Sequence, residues 1–206
     1  MSEVVLSINT LSDYSSPGAD NLLNRDLTNL LHEGDDGRAD PDSVNIIKYI
    51  HKILSNFWHK ETVPVDLKQS VIVPFLKDST KDASDPSNYR PISLLNSLMK
   101  TYEQIIKFRL MKVLEDNDFF SITQSAYRKG RSACDNLLVL QEVFHHYRYI
   151  KRGPRGGIGR KPFFLCFLDF VKAFDKVHRD LLFQKLAAIG ILERISNVIR
   201  NVNSSK

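Results

Sequence analysis

Apolar residues recur at spacings of three and four from Val44 onward. Val44, Ile47, Ile50 or His51, Leu54 and Trp58 mark one face of a helix, which Pro64 ends. VIVPFL (71–76) is a short β-rich run, and Pro74 within it predicts an edge strand or a bulge. Residues 77–91 are turn-rich, punctuated by Pro86 and Pro91. Leu95, Leu98, Tyr102, Ile105, Ile106, Leu110 and Val113 then form the apolar face of a long helix, with Lys100, Lys107, Arg109 and Lys112 as its basic complement. A further helix is predicted over about 135–149, with Leu137, Leu140, Phe144 and Tyr147 inward. FFLCFLDF (163–170) is apolar at every position until Asp169, the pattern of a strand buried on both faces. The pattern is helical again from Ala173 to Ile189, Gly190 suits a helix C′ position, and a last helix runs to about Val198. Helices and strands mixed in this order predict an α/β or α+β layer structure.

Ahead of Val44 the chain changes character. Residues 1–42 are rich in Ser, Asn, Asp and Gly and carry nine acidic side chains against two basic ones. They are expected to form an acidic flexible leader that packs little against the rest. The following residues divide into a region 43–162 and a region 163–206. The overall charge of +5 therefore hides a strongly basic body, with 27 basic and 15 acidic side chains after residue 42. A basic body points to a polyanionic partner, nucleic acid above all, although a basic surface can also be a merely soluble one.

Composition narrows the class. Of the 206 residues, 42% are hydrophobic and 26% charged, near the average for folded domains. No apolar run approaches the roughly 18 residues of a membrane helix, and no basic n-region precedes an apolar stretch at the N-terminus. Cys134 and Cys166 match no metal or redox spacing and read as reduced thiols. The expected setting is intracellular, cytoplasmic or nuclear, without a membrane partner.

Asp169 is the sharpest chemical feature. It follows an acid-free stretch of 26 residues (143–168) and stands at the end of the apolar run. Active sites of open α/β sheets lie beyond the carboxyl ends of strands, and a carboxylate there suits Mg²⁺ held together with substrate phosphates. The alternative is an Asp that caps the next helix, a role Asp175 could also fill. Phosphotransferases with a second Asp two residues on are disfavoured, because that position is Val171. No Walker lysine loop is present, and GPRGGIG (153–159) precedes the strand where a dinucleotide loop would follow it. His145 and His146 are adjacent, point about 100° apart on a helix, and read as surface residues.

Four blocks occur in order: LKQSVIVPFLKD, SNYRPISLLNSLMKTYEQIIKFRL, QSAYRKGRSACDNLLVL and FLDFVKAFDKVHRDLLFQKLAAIGI. Over roughly residues 44–195 the chain resembles the reverse transcriptase domain of non-LTR (LINE-type) retrotransposons. The resemblance implies the fingers and a partial palm of a right-hand polymerase, helix-rich, with a short palm sheet left incomplete. By position, Asp169 looks like the first carboxylate that binds two catalytic Mg²⁺ ions, with the carbonyl of Phe170 as a neighbouring ligand. Phe174 matches the ring under the sugar of the incoming nucleotide, where it would exclude a 2′-OH. Arg90 matches the arginine that contacts the triphosphate, a planar fork suited to phosphate, and Lys77 is its companion. Arg128, Lys129 and Arg131 resemble a segment lying along the template, a solvated turn being the alternative. Asp175 belongs to the pattern with a structural role. The implied partners are an RNA template, a DNA primer and deoxynucleoside triphosphates.

Departures from the family pattern shape the expectation. Ala126-Tyr127-Arg128 stands where Gly-Phe-Arg is usual, so a glycine suited to positive φ is missing. The basic loop 151–162 is long. The Gln-Gly block and the turn with paired aspartates are not found, nor are a thumb or an endonuclease segment. A two-metal mechanism draws carboxylates from separate strands. The expectation is therefore a truncated domain, inactive alone, whose missing half lies elsewhere. The alternatives are a non-catalytic RNA- or DNA-binding module and an unselected remnant.

Overall fold

The computed structural model describes residues 1–32, 40–149 and 164–204. The basic loop 151–162, Phe163 and most of the acidic linker lie outside the described residues. The chain forms two compact units, Met1–Val113 with Asp180–Lys206, and Leu114–Arg179. Helices and strands are mixed, in the order α1 (Ser2–Asn9), α2 (Asn24–Thr28), α3 (Pro41–Lys60), α4 (Val65–Lys68), β1 (Ser70–Leu76), β2 (Tyr89–Leu95), α5 (Ser97–Asp116), α6 (Ala133–Tyr149), α7 (Arg179–Ala188) and α8 (Glu193–Val202).

In the first unit the core gathers around α3 and α5. The Asp40 carboxylate accepts the Ser43 N–H at 2.9 Å, Pro41 opens α3 at a position where its missing N–H costs nothing, and Glu61 ends the helix at φ 54°. Ile47, Ile50, Leu54 and Phe57 are its buried residues, so Phe57 takes the inward position and Trp58 is only half-buried. Met99, Tyr102, Ile105 and Ile106 of α5 share a core with Ile50, Leu54 and Phe57, and Phe57 lies edge-on to Tyr102 at 5.8 Å between ring centres.

The expected flexible leader is part of this core. Val4 and Ile8 of α1 and Leu27 of α2 are buried, Ile8 completely. Val4, Ile8 and Leu11 recur at helical spacing, and burying a side chain of that size stabilises by about 1.5–3 kcal/mol, enough to override the acidic composition. A buried polar seam adds direction. The Ser97 hydroxyl lies 2.7 Å from the Leu22 carbonyl and 2.9 Å from Asn24 Oδ1, while Asn24 Nδ2 donates to the Ser12 carbonyl at 2.8 Å. Gly18 touches the β2–α5 junction so closely that a Cβ there would fall 2.5 Å from the Asn96 nitrogen.

β1 and β2 form an antiparallel ribbon in register Ser70↔Leu95 through Leu76↔Tyr89. β2 is absent from the sequence-based expectation, which read residues 77–91 as turn and began a helix at Leu95. Pro74 faces Pro91. Neither can donate, so this is a pair whose backbone groups point outward, and each proline removes a donor from a free edge. The α7–α8 pair closes on the same unit. Gly190 at φ 80° ends α7 with a Schellman motif, the Ile191 N–H bonding Leu186 at 3.0 Å and the Gly190 N–H bonding Ala187 at 3.0 Å. From α8, Asn201 Oδ1 accepts the Val63 N–H at 2.9 Å, and Asn197 donates to Glu61 at 2.9 Å.

The second unit and the helix that follows it depart from expectation most. Residues 164–170 form no regular element and join no ladder, and Phe164, Phe167, Leu168 and Phe170 are exposed. A central strand exists only where strands flank it, and no described strand pairs with this stretch. The helix expected from Ala173 begins at Arg179, after turns over 171–176, so neither Asp169 nor Asp175 caps it. Of its expected inward residues, Leu186 is buried, Ile189 is half-buried and Leu182 is exposed, with Phe183 buried in its place. α6 forms as expected, but Leu137, Phe144 and Tyr147 of its apolar face are exposed.

Candidate active site

The ribbon brings two of the expected phosphate contacts together. The Lys77 N–H bonds the Asn88 carbonyl at 2.9 Å, which makes 77/88 a hydrogen-bonded pair that extends the register of Phe75↔Arg90. Facing residues of an antiparallel pair share a side, and the side alternates along each strand. Lys77 and Arg90 therefore stand on one face as diagonal neighbours, together with Val73, Phe75 and Ile92. The Lys77 ammonium donates to the Ser87 carbonyl at 2.7 Å. Arg90 is exposed, and its guanidinium has no hydrogen-bond partner among the described residues.

The second unit holds the basic turn. Arg128 is a clamp: Nε donates to Glu115 Oε1 at 3.1 Å, Nη2 to Oε2 at 2.7 Å, and Nη1 to the Ser121 carbonyl at 3.1 Å. Its guanidinium also lies 5.3 Å from the Phe120 ring centre. The Arg128 hydrogen bonds hold the Glu115 carboxyl below its usual range and push the guanidinium higher. Sequence reasoning did not find Glu115, which lies 13 residues before Arg128 with no motif linking them. Lys129 and Arg131 on the same turn are exposed. The left-handed backbone falls at Tyr127 (φ 61°) and Gly130 (φ 71°), so Ala126 does not occupy the strained position that its missing glycine suggested. Asp135 Oδ2 accepts the Ser132 N–H at 2.7 Å and so starts α6.

Asp169, Phe170 and Phe174 lie on the unpaired stretch and the turns after it, all exposed. Asp169 and the Phe170 carbonyl are hard oxygen donors of the kind Mg²⁺ takes. No group of three or more His, Cys, Asp or Glu side chains is gathered for a metal among the described residues. Nor is any helix among them long and apolar enough to cross a membrane. Cys134 and Cys166 are free and exposed.

Comparison with known proteins fits these elements into a family. Residues 76–206 match the reverse transcriptase (RNA-dependent DNA polymerase) family, a span that includes Lys77, Arg90, the basic turn and Asp169. The chain is 28% identical over 184 residues to a probable RNA-directed DNA polymerase from transposon BS of Drosophila melanogaster, covering 89% of this chain and 18% of that protein. It is 26% identical over 176 residues to the corresponding protein of transposon X-element from the same fly, covering 85% of this chain and 17% of that protein. It is 30% identical over 118 residues to a retrovirus-related Pol polyprotein from type-1 retrotransposable element R2 of Popillia japonica, covering 57% and 15%. The chain spans about a fifth of the length of the curated relatives it matches most widely. The matched residues and these relatives make the chain a member of the reverse transcriptase family that carries part of the polymerase domain.

Proposed function

We propose that this chain supplies the nucleotide-binding face and part of the template path of an RNA-directed DNA polymerase, and does not incorporate nucleotides by itself. The observation that carries the reading is the pairing of Lys77 and Arg90 on one face of the β1–β2 ribbon, inside the family match. Two cations on one stiff surface suit a triphosphate, Arg90 through its planar fork and Lys77 as a point charge. Lys129 and Arg131 contact template phosphates, while Arg128 shapes their turn through Glu115. The metal is Mg²⁺. Asp169 and the Phe170 carbonyl would hold it, and when bound it would neutralise phosphate charge. Phe174 would lie under the sugar and exclude a 2′-OH.

Asp169 alone gives no activity, because 164–170 has no ladder among the described residues to hold its carboxylate in place. A two-metal site needs carboxylates fixed from separate elements. The partners are an RNA template and a DNA primer.

Binding of the 206-residue chain to an RNA–DNA duplex across a salt series tests this reading. Affinity falls steeply with salt, and Lys129→Ala with Arg131→Ala lowers the slope by about two phosphate contacts. Tripolyphosphate binding is lost by Lys77→Ala with Arg90→Ala. Salt-insensitive or absent duplex binding overturns the template assignment. Primer extension by the isolated chain that depends on Asp169 overturns the claim of inactivity.

A further inference from the structure

The loop that joins β1 to β2 is built from three consecutive Asp-x-Ser/Thr turns. Asp78 accepts from the backbone and hydroxyl of Thr80, Asp82 from those of Ser84, and Asp85 from those of Ser87. The first two stand apart from the candidate site. The third ends on the residue that holds Lys77. Asp85 Oδ1 accepts the Ser87 N–H at 2.8 Å, Oδ2 accepts the Ser87 hydroxyl at 2.6 Å, and the Ser87 carbonyl accepts from Lys77 Nζ at 2.7 Å. The base of the loop is closed again by the Lys77 N–H on Asn88, by Asn88 Nδ2 on the Asp82 carbonyl at 2.9 Å, and by the Tyr89 hydroxyl on the Ala83 carbonyl at 2.9 Å.

We propose that Asp85 is a positioning residue: by fixing Ser87 it holds the Lys77 ammonium at the end of the ribbon, beside Arg90, ready for the triphosphate of an incoming nucleotide. The inference rests on the triphosphate reading above. A free lysine must surrender rotamer freedom when it grips a phosphate, and a lysine already fixed surrenders less. An ammonium has three donors. One is on Ser87, and two remain for phosphate oxygens, so the relay prepares Lys77 without consuming it.

The sign of the effect separates positioning from charge. Asp85 is an anion near an anion site, so removing it tightens triphosphate binding on Coulombic grounds alone. The relay demands the opposite. Tripolyphosphate binding to the 206-residue chain weakens about 3- to 10-fold in Asp85→Ala and in Ser87→Ala, the worth of one hydrogen bond. Ser87→Thr restores it. Asp82→Ala, which takes the same charge from the same loop but leaves Ser87 in place, binds as well as the parent or better. Unchanged or tighter binding in Asp85→Ala overturns the proposal.

A second readout does not depend on ligand. The acylation rate of Lys77 by an acetylating ester, followed by peptide mass spectrometry, is slower than that of the exposed Lys81 and rises in Asp85→Ala but not in Asp82→Ala. Equal rates for Lys77 in all three chains overturn the relay. The two failures are distinct. Loss of tripolyphosphate binding in none of Lys77→Ala, Arg90→Ala or their combination overturns the triphosphate reading, while the acylation rates still judge the relay.

Discussion

Residues 1–31 and residues 164–178 both contribute no strand, yet they stand at opposite extremes of burial. The first stretch forms two short helices and a run of turns, and buries Val4, Ile8 and Leu27 against α3 and α5. The second is denser in large apolar side chains, yet leaves Phe167 81% and Leu168 86% exposed. Apolar content does not separate them. What does is the presence of a complementary surface. The helices α3 and α5 offer a groove for α1, and the β2–α5 junction offers backbone close enough for Gly18. An extended apolar run needs something narrower, a strand edge in register on each side. The ribbon makes the same point: VIVPFL folds as a strand because YRPISLL pairs with it.

The largest expected effect comes from removing the buried stretch. Deleting residues 2–31 strips α3 and α5 of their cover and abolishes cooperative unfolding, followed by circular dichroism against denaturant. Ile8→Ala tests the same claim with one side chain and costs about 2–5 kcal/mol, because a wholly buried aliphatic leaves both a lost transfer term and a cavity. A change below about 0.5 kcal/mol would mean that α1 does not belong to the core. Gly18→Ala follows. Its Cβ meets backbone on the β2–α5 junction at 2.5–2.6 Å, atoms that cannot swing aside, and overpacking of this kind costs about 1–3 kcal/mol.

Acid and alkali probe the same interface from two sides. Arg109 pairs with Glu3 through two hydrogen bonds and stacks on Trp58 at 4.1 Å. The Arg109 hydrogen bond holds the Glu3 carboxyl below its ordinary 4.5. A carboxyl lowered on folding gives stability that is complete above 4.5 and drains away as pH falls below it. Glu3→Gln flattens that acid limb. Burial pushes the Tyr102 hydroxyl up to about 12, and the hydroxyl has no hydrogen-bond partner among the described residues. A phenol raised on folding loses stability as pH climbs from 10 to about 12, and Tyr102→Phe removes that alkaline loss. At neutral pH the same change leaves stability equal or raises it by up to about 1 kcal/mol, since it deletes an unsatisfied polar atom. A loss of more than that would reveal a partner for the hydroxyl.

Much of this was legible in the residues. The spacing of Ile47, Ile50 and Leu54, and of Tyr102, Ile105 and Ile106, announces α3 and α5 because a helix writes its buried face into consecutive turns. Gly190 announces the end of α7 because φ 80° suits glycine. β2 was hidden because Pro91 and the preceding turns outweigh its short apolar tail, and with it went the fact that Lys77 and Arg90 share a face. α1 was hidden because nine acidic side chains dominate residues 1–42, although Val4, Ile8 and Leu11 keep helical spacing. The clamp of Arg128 by Glu115 joins two elements whose separation carries no periodic signal. For 164–170 the apolar run was plain to read, and the missing quantity was a neighbour, which one strand's own residues never encode.

The smallest expected effect is the most pointed test of the comparison. Phe167→Ser with Leu168→Thr removes two of the largest apolar groups in the second stretch. If these side chains lie against solvent, nothing is lost from a core, no cavity opens and no buried donor is orphaned, so the midpoint of denaturation moves by less than about 0.5 kcal/mol. Colloidal behaviour should move more. An exposed run of Phe and Leu with unpaired backbone is a template for edge-to-edge association, and the double substitution breaks its apolar continuity. Light scattering at rising concentration should show less association for the variant than for the parent. A loss of 2 kcal/mol or more, the scale of a buried large-to-small change, would show instead that Phe167 and Leu168 pack into a core in solution. That outcome would restore the buried strand that the apolar run first suggested.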